Sequence, residues 1–176
     1  MTALPVVGRR DVLARGAAAA AGWTGLGAAV SGCGFQLRQT PQVSLQRLAL
    51  TGFAPRSPMA QLLEKLLLPG TQVVASPAQA QAVLHALADR RERSVVASTA
   101  AGQVRELQLR VRLEFRLALP GGRELIGPTE LRASRDMSYS ESFALAKEQE
   151  EAQLFTAMQT DIALQVIGRL ARVTLT

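Results

Sequence analysis

Several residue types that usually carry chemistry are scarce in this 176-residue chain. There is one histidine, His85, and one cysteine, Cys33. No histidine-based metal cluster and no Ser-His triad can therefore be built within one chain. An intramolecular disulfide is excluded as well. Asparagine is absent, and Lys65 and Lys147 are the only lysines, so the positive charge is almost entirely arginine, the pattern of a high-GC genome. The single tryptophan, Trp23, lies in the N-terminal segment, and aromatic residues make up 4% of the chain. That leaves no interleaved aromatic and basic platform for single-stranded nucleic acid. No P-loop, dinucleotide fingerprint or Gly-x-Ser-x-Gly elbow occurs. Glu150-Glu151 is a carboxylate pair on a helical segment, the ordinary composition of a solvated face. Together these absences point away from an enzyme.

The N-terminus carries the clearest signal. Arg9, Arg10 and Arg15 precede an uncharged Ala- and Gly-rich run from Gly16 to Val30, which ends in Val30-Ser31-Gly32-Cys33. This is the anatomy of a secretory signal peptide, and it is too short and glycine-rich for a good transmembrane anchor. Small residues running into the cysteine predict cleavage before Cys33. Its thiol and freed amine would then carry N-acyl diacylglycerol, so the mature chain is held by lipid alone. The simpler alternative, an ordinary buried cysteine, leaves the order of these features unexplained. Gly34 follows, with no aspartate in that place, as in lipoproteins sorted to the outer membrane. Arg9-Arg10-Asp11-Val12-Leu13 loosely resembles a twin-arginine signal, but Val12 stands where that pattern wants Phe, which favours the Sec route.

Removing residues 1–32 from 176 leaves 144, enough for one core. The leader's three arginines and Asp11 take a net +2 from the formal +6, leaving a mildly basic +4. The expected organisation is a tether over 33–43, one domain over 44–172 and a tail over 173–176.

Residues Ser44 to Thr51 read as a first strand. Ser57-Pro58 has the form of an N-cap and first helical residue, followed by Met59, Leu62, Leu63, Leu66 and Leu67 at helical spacing and the stop Pro69-Gly70. Thr71 to Ala75 predicts a short edge strand. A longer strand starts at Ala82 and continues through Asp89-Arg90-Arg91-Glu92-Arg93 to Val96, and Ala100-Ala101-Gly102 turns the chain. From Leu107 to Leu119 every second residue is apolar, while Gln108, Arg110, Arg112, Glu114 and Arg116 face the other way. Pro120-Gly121-Gly122 is a hairpin turn, and a strand over 124–139 follows, with a bulge at Gly127-Pro128. Leu154, Met158, Ile162, Val166 and Leu170, joined by Leu145, Phe155 and Ile167, make one stripe of a helix over 143–170. The class is α+β: a largely antiparallel four- to five-stranded sheet with two helices on one face. His85 reads as a structural histidine within its strand. The polar face of the hairpin, rich in arginine, is either an ordinary solvated surface or a surface for anionic groups, which guanidinium binds bidentately.

These residues also resemble a family. Cys33-Gly34-Phe35-Gln36-Leu37-Arg38 is similar to the mature start of the LptE family of lipopolysaccharide-assembly lipoproteins. Ala144-Leu145-Ala146-Lys147, followed by Glu150, Leu154, Met158, Asp161, Ala163, Gln165, Ile167, Arg169 and Leu170, resembles its C-terminal helix. The hairpin from Gly102 through Pro120-Gly121 to Leu131-Arg132-Ala133-Ser134-Arg135 matches in order and length. The resemblance implies a non-enzymatic lipoprotein on the periplasmic side of the outer membrane, anchored in its inner leaflet, with no cofactor beyond the acyl groups on Cys33. It implies a plug inside the LptD β-barrel that helps assemble the barrel and assists delivery of lipopolysaccharide (LPS) to the cell surface. A polar face suits a polar lumen, which makes Arg110, Arg112 and Arg116 candidates to face the barrel. Lys147 matches a basic LPS-contact position of the family. The family's arginine near the hairpin tip falls around Ala100, so that contact passes to neighbours, with Arg90, Arg91 and Arg93 as candidates. The second reading is a lipoprotein that activates a periplasmic enzyme such as a peptidoglycan synthase; a tether of roughly ten residues gives it little reach. A third, a lipid carrier, needs a cavity that strictly alternating strands do not suggest.

Overall fold

The computed structural model describes residues 43–174; the signal segment, Cys33 and nearly all of the expected tether lie outside them. The described chain forms five strands and two helices: β1 (Arg47–Thr51), α1 (Pro58–Leu67), β2 (Gln72–Val74), β3 (Ala82–Ser98), β4 (Val104–Ala118), β5 (Glu124–Ser138) and α2 (Ala144–Leu170). Short 3₁₀ turns at Pro77–Gln79 and Glu141–Phe143 precede β3 and α2.

The strand order is β2-β1-β3-β4-β5. The long pairs β3–β4 and β4–β5 are antiparallel. β1, however, runs parallel to both β2 and β3, so the sheet is mixed. The reason is local: α1 occupies the connection between β1 and β2, and a helical crossover returns the chain in the same direction. Ser57 sets the start of α1. Its Oγ accepts a hydrogen bond from the Ala60 amide (3.2 Å) and donates one to Asp89 on β3 (2.6 Å), so one side chain caps the helix and pins it to the sheet. Thr71, also buried, donates to the Leu45 carbonyl at 2.7 Å and fixes the entry to β2.

The alternation of β4 emerges as read. Leu107, Leu109, Val111, Leu113, Phe115 and Leu117 are buried on one side, and the residues between them are exposed or half-buried. Leu119 does not continue the row: the strand ends at Ala118, and the Leu119 amide instead closes the turn onto the Arg123 carbonyl. Against the buried face pack Met59, Leu63 and Leu67 of α1 and Met158, Ile162, Val166 and Leu170 of α2. Both helices therefore lie on one face and the other remains open. Leu145, grouped with the helix stripe by its spacing, is 73% exposed; it sits in the first turn of α2, before the helix has its apolar side on the sheet.

Two irregularities matter for the site. At β5, Phe115 pairs with Thr129 but Leu117 with Ile126, which places the extra residue at Gly127-Pro128 as expected. At β3, Ala86 pairs with Phe115 and Ala88 with Glu114. The extra residue there switches the parity of the strand: Leu84 and Ala86 point to the core, but beyond the bulge Asp89, Arg91 and Arg93 take the helix side, opposite Leu113, Val111 and Leu109. Gly52 passes beside this bulge at φ 79°, where a Cβ would stand 2.2 Å from the Ala86 carbonyl oxygen.

Candidate functional site

The open sheet face is built from rows of residues in register across three strands. Arg90, Arg112 and Arg132 form one row; Ala88, Glu114 and Glu130 form the next; Glu92, Arg110 and Ser134 lie on the other side. Like charges directly opposite one another repel, and the neighbouring acidic row offsets this. Arg112 Nη2 is 3.0 Å from Glu114 Oε2, and its Nε lies 2.5 Å from Glu130 Oε1. Arg112 is thereby paired with both carboxylates of the acidic row. Arg132 grips Glu130 with both Nε and Nη2, the latter at 2.7 Å from Oε2. The hydrogen bond from Arg132, helped by the charges of Arg112 and Arg132 and opposed by burial, lowers the Glu130 pKa below its ordinary 4.5. Glu130 in turn raises the pKa of Arg132.

Glu130 and Arg132 were not singled out in the sequence as part of this face. The signal was present: in β5, Glu130, Arg132, Ser134 and Asp136 alternate with Leu131, Ala133 and Met137. The arginine at 135, on the opposite phase, obscured it; its Nη2 faces Asp161 of α2 at 3.9 Å. Of the three candidates on β4, Arg112 is held in the ion network, while Arg110 and Arg116 are exposed and make no ion pair among the described residues. Arg110, Arg112 and Arg132 line a depression of about 360 Å³ with Glu92 and Ser134 on its rim.

The three β3 candidates separate. Arg90 stays on the open face, exposed and without an ion pair among the described residues. Arg91 turns to the helix side, its guanidinium 5.6 Å from the centre of the Phe155 ring, a cation–π distance. Arg93, also on that side, pairs with Glu151 of α2 at 3.3 Å. Lys147 lies at the same end of the sheet, donating to Ser138 Oγ (3.0 Å) and Glu150 Oε2 (2.8 Å), so α2 is tied to the end of β5. Around this end the apolar side chains of Val95, Val96, Phe143 and Leu145 are exposed. Arg93, Val95, Val104, Leu107, Tyr139 and Glu141 line a groove of about 390 Å³ there. At this end, then, two basic groups, each paired with a glutamate of α2, stand beside exposed apolar side chains. Ala100, where the family's arginine would fall, occupies the exposed β3–β4 turn.

His85 is accounted for structurally, with Nδ1 2.9 Å from Thr51 Oγ1. Among the described residues no three His, Cys, Asp or Glu side chains are placed to hold a metal ion, and no helix is long and apolar enough to cross a membrane.

Comparison with known proteins places the chain. The family model described as LptE, lipopolysaccharide-assembly, matches residues 45–170. The chain belongs to the LptE family. The LPS-assembly lipoprotein LptE of Pectobacterium atrosepticum is 29% identical over 144 residues, 80% of this chain and 77% of that protein. Among solved structures, lipoprotein B of Nitrosomonas europaea superposes with a TM-score of 0.62 at 28% identity, covering 76% of this chain and 88% of its own. Rare lipoprotein B of Shewanella oneidensis gives 0.58 at 28% identity, covering 72% and 94%. The LptE match spans all five strands and both helices, so the open face and the basic end both belong to the family domain.

Proposed function

We propose that this chain is an outer-membrane lipoprotein that plugs the LptD β-barrel, helps assemble it and assists delivery of LPS to the cell surface. The observation that carries the reading is the open face of β3, β4 and β5: a polar, ion-paired surface on a domain of the LptE family. A solvated barrel lumen is lined by polar groups, and a surface whose charges are largely balanced among themselves can lie against such a wall without stranding a buried ion. The name of the Pectobacterium relative, LPS-assembly lipoprotein, supports the same process. Cys33 carries the acyl groups and holds the domain at the inner leaflet, facing the periplasm. Arg110, Arg112 and Arg116 face the barrel wall. Lys147 and Arg93, beside exposed Val95, Val96, Phe143 and Leu145, meet the phosphate and acyl parts of LPS, and Arg90 and Arg91 flank them from the two sides of the sheet.

The test is purification of the tagged lipoprotein from outer membranes. A large β-barrel is expected to accompany it, and Arg110→Glu with Arg112→Glu is expected to cut the recovered barrel about tenfold while circular dichroism shows a folded domain. Absence of any barrel partner, or full recovery with the charge-reversed protein, refutes the reading.

A further inference from the structure

The two halves of α2 are held in different ways. Its buried side chains begin at Met158 and run through Ile162 and Val166 to Leu170. Before them, the segment from Ala144 to Phe155 contributes Leu154 and Phe155 to the core, both half-buried. Polar contacts tie this first half down instead: Arg93 to Glu151 at 3.3 Å, Lys147 to Ser138 at 3.0 Å, and the Arg91 guanidinium over the Phe155 ring. Arg93 is more than half exposed, and exposed ion pairs hold weakly and are screened by salt. Between residues 91–93 of β3 and Glu148, Glu151, Ala152 and Phe155 of α2 lies a cleft of about 550 Å³, where the first half leaves the sheet unpacked. The helix is also weak where it starts and where its halves meet. Phe143, at the N-cap, has no side-chain oxygen to hold the first amides. At the junction the Thr156 hydroxyl donates to the Ala152 carbonyl at 2.9 Å and the Thr160 hydroxyl to the Thr156 carbonyl at 2.8 Å. Such back-bonding weakens and bends helices.

We propose that the segment from Ala144 to Phe155 is a latched flap that opens as one unit about Thr156. Beneath it lies the row of Val95, Leu107 and Met137, in register across the ends of β3, β4 and β5. The ties fix that placement: Lys147 reaches Ser138, next to Met137, and Glu151 reaches Arg93, opposite Leu109. Leu107 and Met137 are buried while the flap is closed. Opening uncovers them beside Val95, which is exposed already, and joins the three into one apolar strip. A detached helix of this length is marginal in water, so the flap unwinds as it leaves the sheet. From Met158 onward the helix stays, held by its buried side chains. The cue is ionic: salt that screens Arg93 from Glu151, or an anion that takes up Arg93, favours the open form. The flap does not depend on barrel plugging or on LPS being that anion.

The experiment is hydrogen exchange of the full chain, resolved by residue. The first four amides of a helix lack an intrahelical partner, so the flap is read from Glu148 to Phe155 and compared with Ile162 to Ile167. Exchange is expected to be uniform within the flap and at least about tenfold faster than in the second half, with the step at Thr156. Arg93→Gln is expected to speed exchange across the whole flap about threefold and to leave Ile162 to Ile167 unchanged. Raising salt from about 0.05 M to about 1 M is expected to do the same in the native chain but not in the variant. Arg135→Gln, which removes the contact with Asp161 beyond the junction, is expected to leave the flap as it was. Peroxide oxidation of Met137 is expected to accelerate with Arg93→Gln, and that of Met158 to stay unchanged. Equal protection of both halves, a smooth gradient from the N-terminus that Arg93→Gln does not alter, or acceleration of both halves alike overturns the proposal.

Discussion

Ile162 and Leu145 belong to one apolar pattern in the sequence, yet the structure assigns them opposite energetic roles. Ile162 is fully buried between α2 and the sheet, whereas Leu145 is 73% exposed in the first turn of the same helix. Ile162→Ala removes buried methylene groups and leaves a cavity in a core whose other members, Met59, Leu109 and Phe115 among them, are fully buried themselves and have little freedom to fill it. Substitutions of this kind cost about 2–5 kcal/mol, and full burial in the centre of the core places this one in the upper half, about 4 kcal/mol. Leu145→Ala takes apolar surface mostly out of water and puts the best helix former in a helix, so its cost is within about 0.5 kcal/mol. Urea unfolding followed by circular dichroism measures both. With a slope of about 1–3 kcal/mol per molar, Ile162→Ala lowers the midpoint by more than about 1 M, and Leu145→Ala leaves it in place. Equal shifts in the two variants refute the packing of α2 described above.

Two further outcomes follow from local geometry. Gly52 and Gly102 share a positive φ of about 80°, but a Cβ at Gly52 meets the Ala86 carbonyl whereas at Gly102 it meets nothing within 4 Å. Gly102→Ala is therefore expected to cost only the conformational penalty, about 1 kcal/mol, and Gly52→Ala distinctly more, both read from thermal unfolding. Glu130 has a lowered pKa in the fold, so its carboxylate contributes stability at neutral pH that is lost as pH falls below 4.5 and on through the lowered value. The stability gap between the native chain and Glu130→Gln is expected to hold from pH 7 down to about pH 4.5 and to narrow below it in urea unfolding; a gap independent of pH refutes the ion network.

The elements of the domain were legible because their signals are local and long. β4 alternates over a dozen residues, Ser57-Pro58 caps and starts a helix, and Gly127-Pro128 marks a bulge. Parallel pairing of β1 was not legible, because a strand of five residues carries no information about its direction; the short α1 crossover decides it. Nor was the division of Arg90 from Arg91 and Arg93. On paper the three form one basic cluster, but a single extra residue between Ala86 and Ala88 determines which side of the sheet each takes. Glu130 was missed for a related reason: its role depends on cross-strand register with Glu114 and on Arg112 and Arg132, which no spacing within β5 reveals.

That register also sharpens what the arginines of the open face can do. Arg112 is balanced by Glu114 and Glu130, so it offers little net charge to a partner and contributes mainly to the order of the sheet. Arg110, one row away, is exposed and makes no ion pair among the described residues, although Glu92 lies opposite it in register. The paired substitution proposed for barrel association should therefore divide into two distinct effects. Arg110→Glu alone is expected to weaken association with the barrel, with a stronger effect at low salt, and to leave thermal unfolding unchanged. Arg112→Glu alone places a third carboxylate beside two others and is expected to lower the unfolding temperature while affecting association less. If the two single variants instead behave alike in both measurements, the ion pairs of Arg112 do not persist in solution, and the open face acts as an undifferentiated basic surface.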